Sequence, residues 1–222
     1  MIRLIHGDCM EFMAKMEDKQ YNLAICDPPY GINRFKNSQT SRVGKYCAST
    51  NKNNWNDLVP NDEYFAELFR VSENQIIWGA NNFNSIPPSR GWIFWFKHQP
   101  VDNYADGEFA FTSFDTNARC FDYPYYGNIN ANKQGRIHPS EKPVFLYRWL
   151  LKNYAHPGDT ILDTHCGSGS ILIACDIMGY SIDAYEIDHD YYLAAKARLA
   201  RHQQQAVLPL NTPTAALQET LL

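Results

Sequence analysis

The stretch Asp27-Pro28-Pro29-Tyr30 sets a carboxylate, two rigid imino acids and an aromatic ring directly after the apolar run Tyr21 to Cys26. The run fits a short buried strand, and the prolines stop it from continuing as a hydrogen-bonded one, so the tetrapeptide lies at a strand's carboxyl end. Alone, Asp-Pro-Pro-Tyr is a turn sequence. A second constellation much further along the chain makes it a candidate for chemistry. There Gly167 and Gly169 follow a short strand ending at Asp163 and open a helix, a spacing that lets backbone approach a ligand. Glu186, 23 residues after Asp163, falls at the end of the next strand, where a carboxylate can accept ribose hydroxyls. A dinucleotide fingerprint asks for a third glycine where Leu172 stands, so an adenosine-containing cofactor without that pyrophosphate suits the loop better. A tight turn before a helix would show the same glycine pair.

The elements that must position these residues are legible around them. Residues 160–186 read as a strand-turn-helix-strand unit, its helix closed by Gly179, with another helix after Glu186. Pro143 suits a first helical position, and Tyr147, Leu150, Leu151 and Tyr154 follow at helical spacing, which predicts an amphipathic helix over 142–155. Phe65, Leu68 and Phe69 share one face of a predicted helix from Asp62 to Val71. Strands are expected at Gln75 to Trp78, Gly91 to Phe96 and Glu108 to Phe114. These alternations make the chain an α/β protein. Its 222 residues, 45% hydrophobic and 14% aromatic, suffice for a core. A net charge of -4 argues against a protein that coats nucleic acid by bulk charge. Locally the balance reverses: Arg34, Lys36, Arg42, Lys45 and Lys52 are uninterrupted by any acid, with Phe35, Tyr46 and Trp55 interleaved or adjacent, in an aperiodic stretch over 31–56 that reads as mobile until substrate binds. The six cysteines form no Cys-x-x-Cys pair and take no zinc-finger spacing with histidine, so no metal is expected and reduced thiols in a cytoplasm are the simplest reading. No secretory leader or membrane-length apolar run is seen. From about residue 204 the composition turns to Gln, Pro and Thr, which predicts a loosely held tail over 204–222.

"DPPY" at 27–30, "DTHCGSGS" at 163–170 and "IHPSEKPVFLY" at 137–147 together resemble the amino-methylating DNA methyltransferases that use S-adenosylmethionine. The order, catalytic tetrapeptide first and cofactor loop last, resembles their β class of adenine-N6 and cytosine-N4 enzymes. "NQIIWGANNF" and "GWIFWFK" resemble its phage and prophage members, and matched stretches run from about Leu4 to Leu199. The resemblance implies a Rossmann-like methyltransferase sheet, mixed and mostly parallel, with helices on both faces. It implies one catalytic domain over 1–203, with 31–56 and 98–136 as mobile DNA-contacting insertions.

Carried onto these positions, the resemblance implies that Asp8 and Cys9 lie near the cofactor's adenine and that Asp163, His165, Cys166, Gly167, Ser168 and Gly169 line its ribose and amino-acid part. Glu186, Ile187 and Asp188 would hold the ribose side, Ser140 and Lys142 would meet the methionine carboxylate, and Asp27 would border the cofactor. Asp8 could equally cap the helix after it. His165 and Thr164 depart from the aromatic residue and proline of many relatives. Asp27, Pro28, Pro29 and Tyr30 would be catalytic. An exocyclic amino group is a poor nucleophile because its lone pair is delocalised; the Asp27 carboxylate and Pro28 carbonyl would accept its two N–H bonds, held stiffly by the proline pair, while Tyr30 stacks on a base flipped from duplex DNA.

Asp at 27 favours adenine over cytosine in family terms, and the expected activity is site-specific methylation of adenine N6. Cytosine-N4 transfer, a catalytically silent adenosine-binding DNA module, and methylation of RNA or a protein glutamine are the alternatives. The five basic residues of 31–56 would track phosphates, and the polar, aromatic segment 98–136, including Asp102, Asn103, Arg119, Tyr123, Tyr125, Tyr126, Lys133 and Arg136, would help read the target. Duplex DNA is the expected partner, with a second copy and a companion restriction enzyme compatible with the resemblance, in a bacterial or phage-encoded cytoplasmic setting.

Overall fold

The computed structural model describes residues 1–31, 59–99, 105–125, 137–138 and 140–207. The predicted phosphate-tracking residues Arg34, Lys36, Arg42, Lys45 and Lys52 lie outside them, as do Phe35, Tyr46, Trp55, Asp102, Asn103, Tyr126, Lys133, Arg136 and positions 208–222 of the predicted tail.

Among the described residues eight strands make one sheet: β1 (Ile2–His6), β2 (Tyr21–Cys26), β3 (Ser72–Trp78), β4 (Ile93–Phe96), β5 (Gly107–Thr112), β6 (Arg119–Asp122), β7 (Thr160–Asp163) and β8 (Ser181–Glu186). Their order is β1-β8-β7-β2-β3-β5-β4-β6. Only β5 runs against its neighbours, pairing antiparallel with both β3 and β4. The α-helices among the described residues that cover the sheet are α1 (Cys9–Met13), α2 (Asp62–Val71), α3 (Val144–Tyr154), α4 (Ser170–Met178) and α5 (His189–Val207).

Both faces are buried because the central strands carry apolar residues at successive positions. Along β2, Leu23 and Ile25 join a core with Trp78 of β3, Leu146 and Leu150 of α3 and Leu172 of α4. Ala24 and Cys26 point the other way, into a core with Met13 of α1 and Phe65 and Leu68 of α2. Helices therefore sit on both faces, as the resemblance implied.

The predicted β2 and α2 match the observed elements residue for residue. Pro143 differs: with ψ 144 it is the extended residue before α3 rather than its first turn, since a proline favours extended backbone at the helix boundary as readily as the first turn. Residues 204–207, expected in the tail, continue α5. Strand β1 and the edge strand β6 were not anticipated from the sequence.

Neighbouring strands β7 and β2 lead to helices on opposite faces, α4 and α2. Their carboxyl ends therefore part into a crevice, the position where open α/β sheets bind ligands.

Candidate active site

The predicted catalytic and cofactor clusters collect at this carboxyl edge, whereas Arg119, expected to help read the target, opens β6 at the opposite edge and donates to Asn153 Oδ1 at 2.7 Å. Asp27 follows β2, the glycine loop follows β7, Glu186 ends β8 and Asp8 lies just beyond β1. The β2–β7 pairing, Ala24 beside Leu162, sets the tetrapeptide next to the glycine loop.

On the glycine-loop side, Gly167 and Gly169 have φ of 51° and 74°, left-handed values that glycine adopts without strain. A side chain at Gly169 would also meet the Ala195 methyl at 3.0 Å. Glu186 receives the backbone N–H groups of Gly167 at 2.7 Å and Asp188 at 2.9 Å, one on each carboxylate oxygen. Burial raises its pKa against the pull of those donors. Asp163 is buried and accepts the His165 N–H at 3.0 Å. Burial pushes its carboxyl up to about 8, with Asp27 and Glu186 adding to the rise. The Tyr64 hydroxyl meets Thr164 Oγ1 at 2.7 Å, which in turn meets His165 Nδ1 at 2.9 Å. Thr164 thus joins a hydrogen-bonded chain beneath the loop, and burial lowers His165 to about 4, so its imidazole is neutral.

Other predicted residues have local work. Asp8 does cap α1, accepting the Met10 N–H at 2.9 Å. Cys9 and Cys166 are buried, and burial raises both thiols. Ser168 Oγ meets Ser170 Oγ at 3.1 Å. Asp188 caps α5 through the N–H groups of Asp190 and Tyr191. Ile187 is exposed.

On the tetrapeptide side, Asp27 is 13% exposed at its side chain. Tyr30 donates its hydroxyl to Oδ1, and the Lys142 ammonium pairs with Oδ2. Each carboxylate oxygen thus already has a donor, which an incoming donor must share or displace. Burial, then the Asp27 and Glu108 charges, hold the Tyr30 phenol well above its ordinary range, and it stays a donor. Pro28 is buried. The ring of Tyr30 packs on Gly79, whose φ is 67°; a methyl there would lie 2.0 Å from the ring. Gly79→Ala should therefore expel Tyr30 from its place and slow turnover by about tenfold or more. Steady-state rates beside thermal denaturation check this, since an intact melt with full activity would refute the contact's importance.

The two residues expected on one methionine carboxylate part company. Ser140 is exposed and bonds His138 Nδ1 through its N–H at 3.3 Å. Lys142 is 3% exposed, between Asp27 and Glu108.

Four participants escaped the sequence reading. Glu108 and Lys97 pair beside Lys142; a carboxylate within the otherwise apolar β5 was the available signal. His138, in the quoted 137–147 stretch, lies 3.6 Å from where a Gly167 side chain would be, and its ring meets Tyr191 edge-on at 4.4 Å. Burial lowers it to about 4. Arg198 of α5 donates to Ser168 O at 3.0 Å and Ser170 Oγ at 2.9 Å and pairs with Glu141 at 3.2 Å, fastening the glycine loop to the segment before α3.

Among the described residues no group of three or more potential ligands could hold a metal ion, and no helix is long and apolar enough to cross a membrane.

A family model described as DNA methylase matches residues 76–197, more than half of the chain. The YubD protein of Escherichia coli strain K12 is 26% identical over 223 residues, covering 92% of each chain. The type II methyltransferase M2.DpnII of Streptococcus pneumoniae is 22% identical over 240 residues, covering 88% of each. Among solved structures, the complex of M1.HpyAVI with SAM superposes with a TM-score of 0.58 at 18% identity, over 90% of this chain and 100% of that one, and so shares the fold.

Proposed function

Since this chain belongs to the N6/N4 DNA methylase family, we propose that it transfers a methyl group from S-adenosylmethionine to the exocyclic N6 of adenine in a specific DNA sequence. The observation that carries this reading is the adjacency of two sites: a stiff Asp27-Pro28-Pro29-Tyr30 corner beside a glycine loop whose neighbouring strand ends in Glu186.

The residues present fit a nucleoside cofactor. The Glu186 carboxylate, already ordered by two N–H donors, lies beside the glycine loop, and acceptors of this kind bind ribose hydroxyls. Asp163, His165, Cys166, Gly167, Ser168 and Gly169 would border the cofactor, with Asp8, Cys9, Ile187 and Asp188 at its nucleoside end and Ser140 at its carboxylate. When bound, the sulfonium supplies an electrophilic methyl carbon.

The chain's own residues do the rest. Asp27 and the Pro28 carbonyl accept the N–H bonds of the target amine, drawing it towards tetrahedral geometry and fixing its approach. Asp27 takes the proton that becomes acidic as the new bond forms. Tyr30 offers its ring to the extruded base, offsetting part of a flipping cost of a few kcal/mol. The basic residues Arg34, Lys36, Arg42, Lys45 and Lys52 neutralise phosphates.

Adenine rather than cytosine follows, in family terms, from Asp at position 27. Mixed-sequence DNA incubated with the chain and methyl-labelled cofactor, then digested to nucleosides, should carry label in N6-methyl-2′-deoxyadenosine. Label in N4-methylcytosine would reassign the base, and unlabelled DNA with bound cofactor would leave a silent binding module.

A further inference from the structure

Four charged side chains from four separate segments meet at the carboxyl edge. Lys142, preceding α3, pairs with Asp27 after β2 and lies 3.3 Å from Glu108 Oε2 of β5. Lys97, just past β4, pairs with the other oxygen of Glu108. Two carboxylates and two ammonium groups thus close a chain in which Lys142 stands between the proposed catalytic acceptor and a second carboxylate.

The two ends of that chain are not equivalent. Both Asp27 oxygens already have donors, Tyr30 on one and Lys142 on the other. Glu108 Oε2 is shielded from solvent and has no hydrogen-bond partner of acceptable geometry, and an acceptor left so is costly. The Lys142 ammonium lies 3.3 Å from it. That ammonium lies 5.2 Å from the Trp78 ring centre and 6.0 Å from that of Tyr30, within cation–π range. Burial would pull Lys142 below its ordinary value, but Asp27 and Glu108 outweigh it and hold the group charged. Against burial, Lys142 and Lys97 hold Glu108 ionised, down to about 2.

We propose that Lys142 is a positioning cation that orients Asp27, and that Glu108 is a positioning residue acting through it, receiving the ammonium as the target N–H arrives at Asp27. This rests on the reading that Asp27 accepts the target amine. The device answers a physical problem: a lysine bound to Asp27 alone would have to be desolvated without a partner whenever the substrate displaced it, whereas a second carboxylate within reach lets the charge shift over a short path. Asp27, Glu108 and Tyr30 touch Lys142, and Lys97, His138 and Asp163 lie close enough to feel its charge.

The test is Glu108→Gln, which keeps size and removes charge. Its kcat for DNA methylation should fall about tenfold or more while KM for DNA and cofactor changes less than about threefold. Because Glu108 supports the protonated form of Lys142, the alkaline limb of the kcat–pH profile should move to lower pH by about one unit or more. Lys142→Arg added to Glu108→Gln should abolish that displacement, since a guanidinium does not titrate there. Glu108→Asp, a safeguard against poor folding of the glutamine variant, should restore part of kcat and place the limb between the two. A limb that stays where the wild type has it in both Glu108 variants, or an unchanged kcat in Glu108→Gln, would overturn the proposal while leaving Asp27 chemistry intact. A wild-type chain that leaves adenine unmethylated, or a fully active Asp27→Ala, would instead remove the reading on which it rests.

Discussion

Asp27→Ala is expected to abolish methyl transfer, lowering the single-turnover rate by about a thousandfold or more, while cofactor affinity stays within about threefold. The asymmetry follows from the geometry. The carboxylate lies at the end of β2, and its partners Tyr30 and Lys142 belong to the tetrapeptide side of the crevice. The cofactor side is organised by different groups, chiefly Glu186 and the N–H donors of Gly167 and Asp188. Removing Asp27 strips one carboxylate from a buried ammonium, which carries a stability cost, but Glu108 remains beside it to share the charge. Asp27→Asn makes the comparison cleaner: it preserves shape and one acceptor oxygen yet takes up no proton, and should fall close to the alanine variant in rate. Rapid-quench transfer with labelled cofactor, beside calorimetric titration of the cofactor, measures both quantities. Joint loss of transfer and binding would make Asp27 a folding residue and remove it from the chemistry.

Glu186→Ala should have the converse signature, weakening cofactor binding by about a hundredfold or more, since it would delete charged hydrogen bonds worth about 1.5–3 kcal/mol each. It also leaves the Gly167 and Asp188 N–H groups without their acceptor, so the loop that faces the ligand loses its fixed shape. Glu186→Gln should recover part of the affinity, because its single carbonyl oxygen can replace one carboxylate oxygen and not both. A pH dependence follows with a definite sign. Burial raises the Glu186 pKa, opposed by the backbone donors of Asp188 and Gly167. On acidification the carboxylate therefore takes up its proton earlier than an exposed glutamate, and cofactor affinity declines before the ordinary carboxylate range is reached. Calorimetry across that interval on wild type and Glu186→Gln checks it: the glutamine variant should lose this contribution to the acid limb.

The sequence alone determined those features that depend on neighbours a few residues apart. The span of β2 follows from an unbroken apolar run ended by prolines, which cannot extend a ladder. The span of α2 follows from its apolar face, and Gly179 closes α4 because glycine adopts the left-handed backbone there, φ 78°. The tetrapeptide, the glycine loop and Glu186 were legible because each sits where a local pattern breaks, and their partnership followed from the resemblance. Tertiary structure alone decided which charges meet. Glu108 opens its strand near the N-terminal end, a position that in a parallel strand would lie at the far edge of the sheet; β5 runs antiparallel, and its start therefore lies with the ends of β3 and β4. Strand direction is fixed by long-range pairing and by the connection before it, neither of which has a local signature. The same holds for Arg198, whose role depends on α5 packing back across the glycine loop. Lys142 looked like a ligand for the cofactor's carboxylate, yet the fold surrounds it with two carboxylates of its own, because burying an ammonium requires opposite charge within reach.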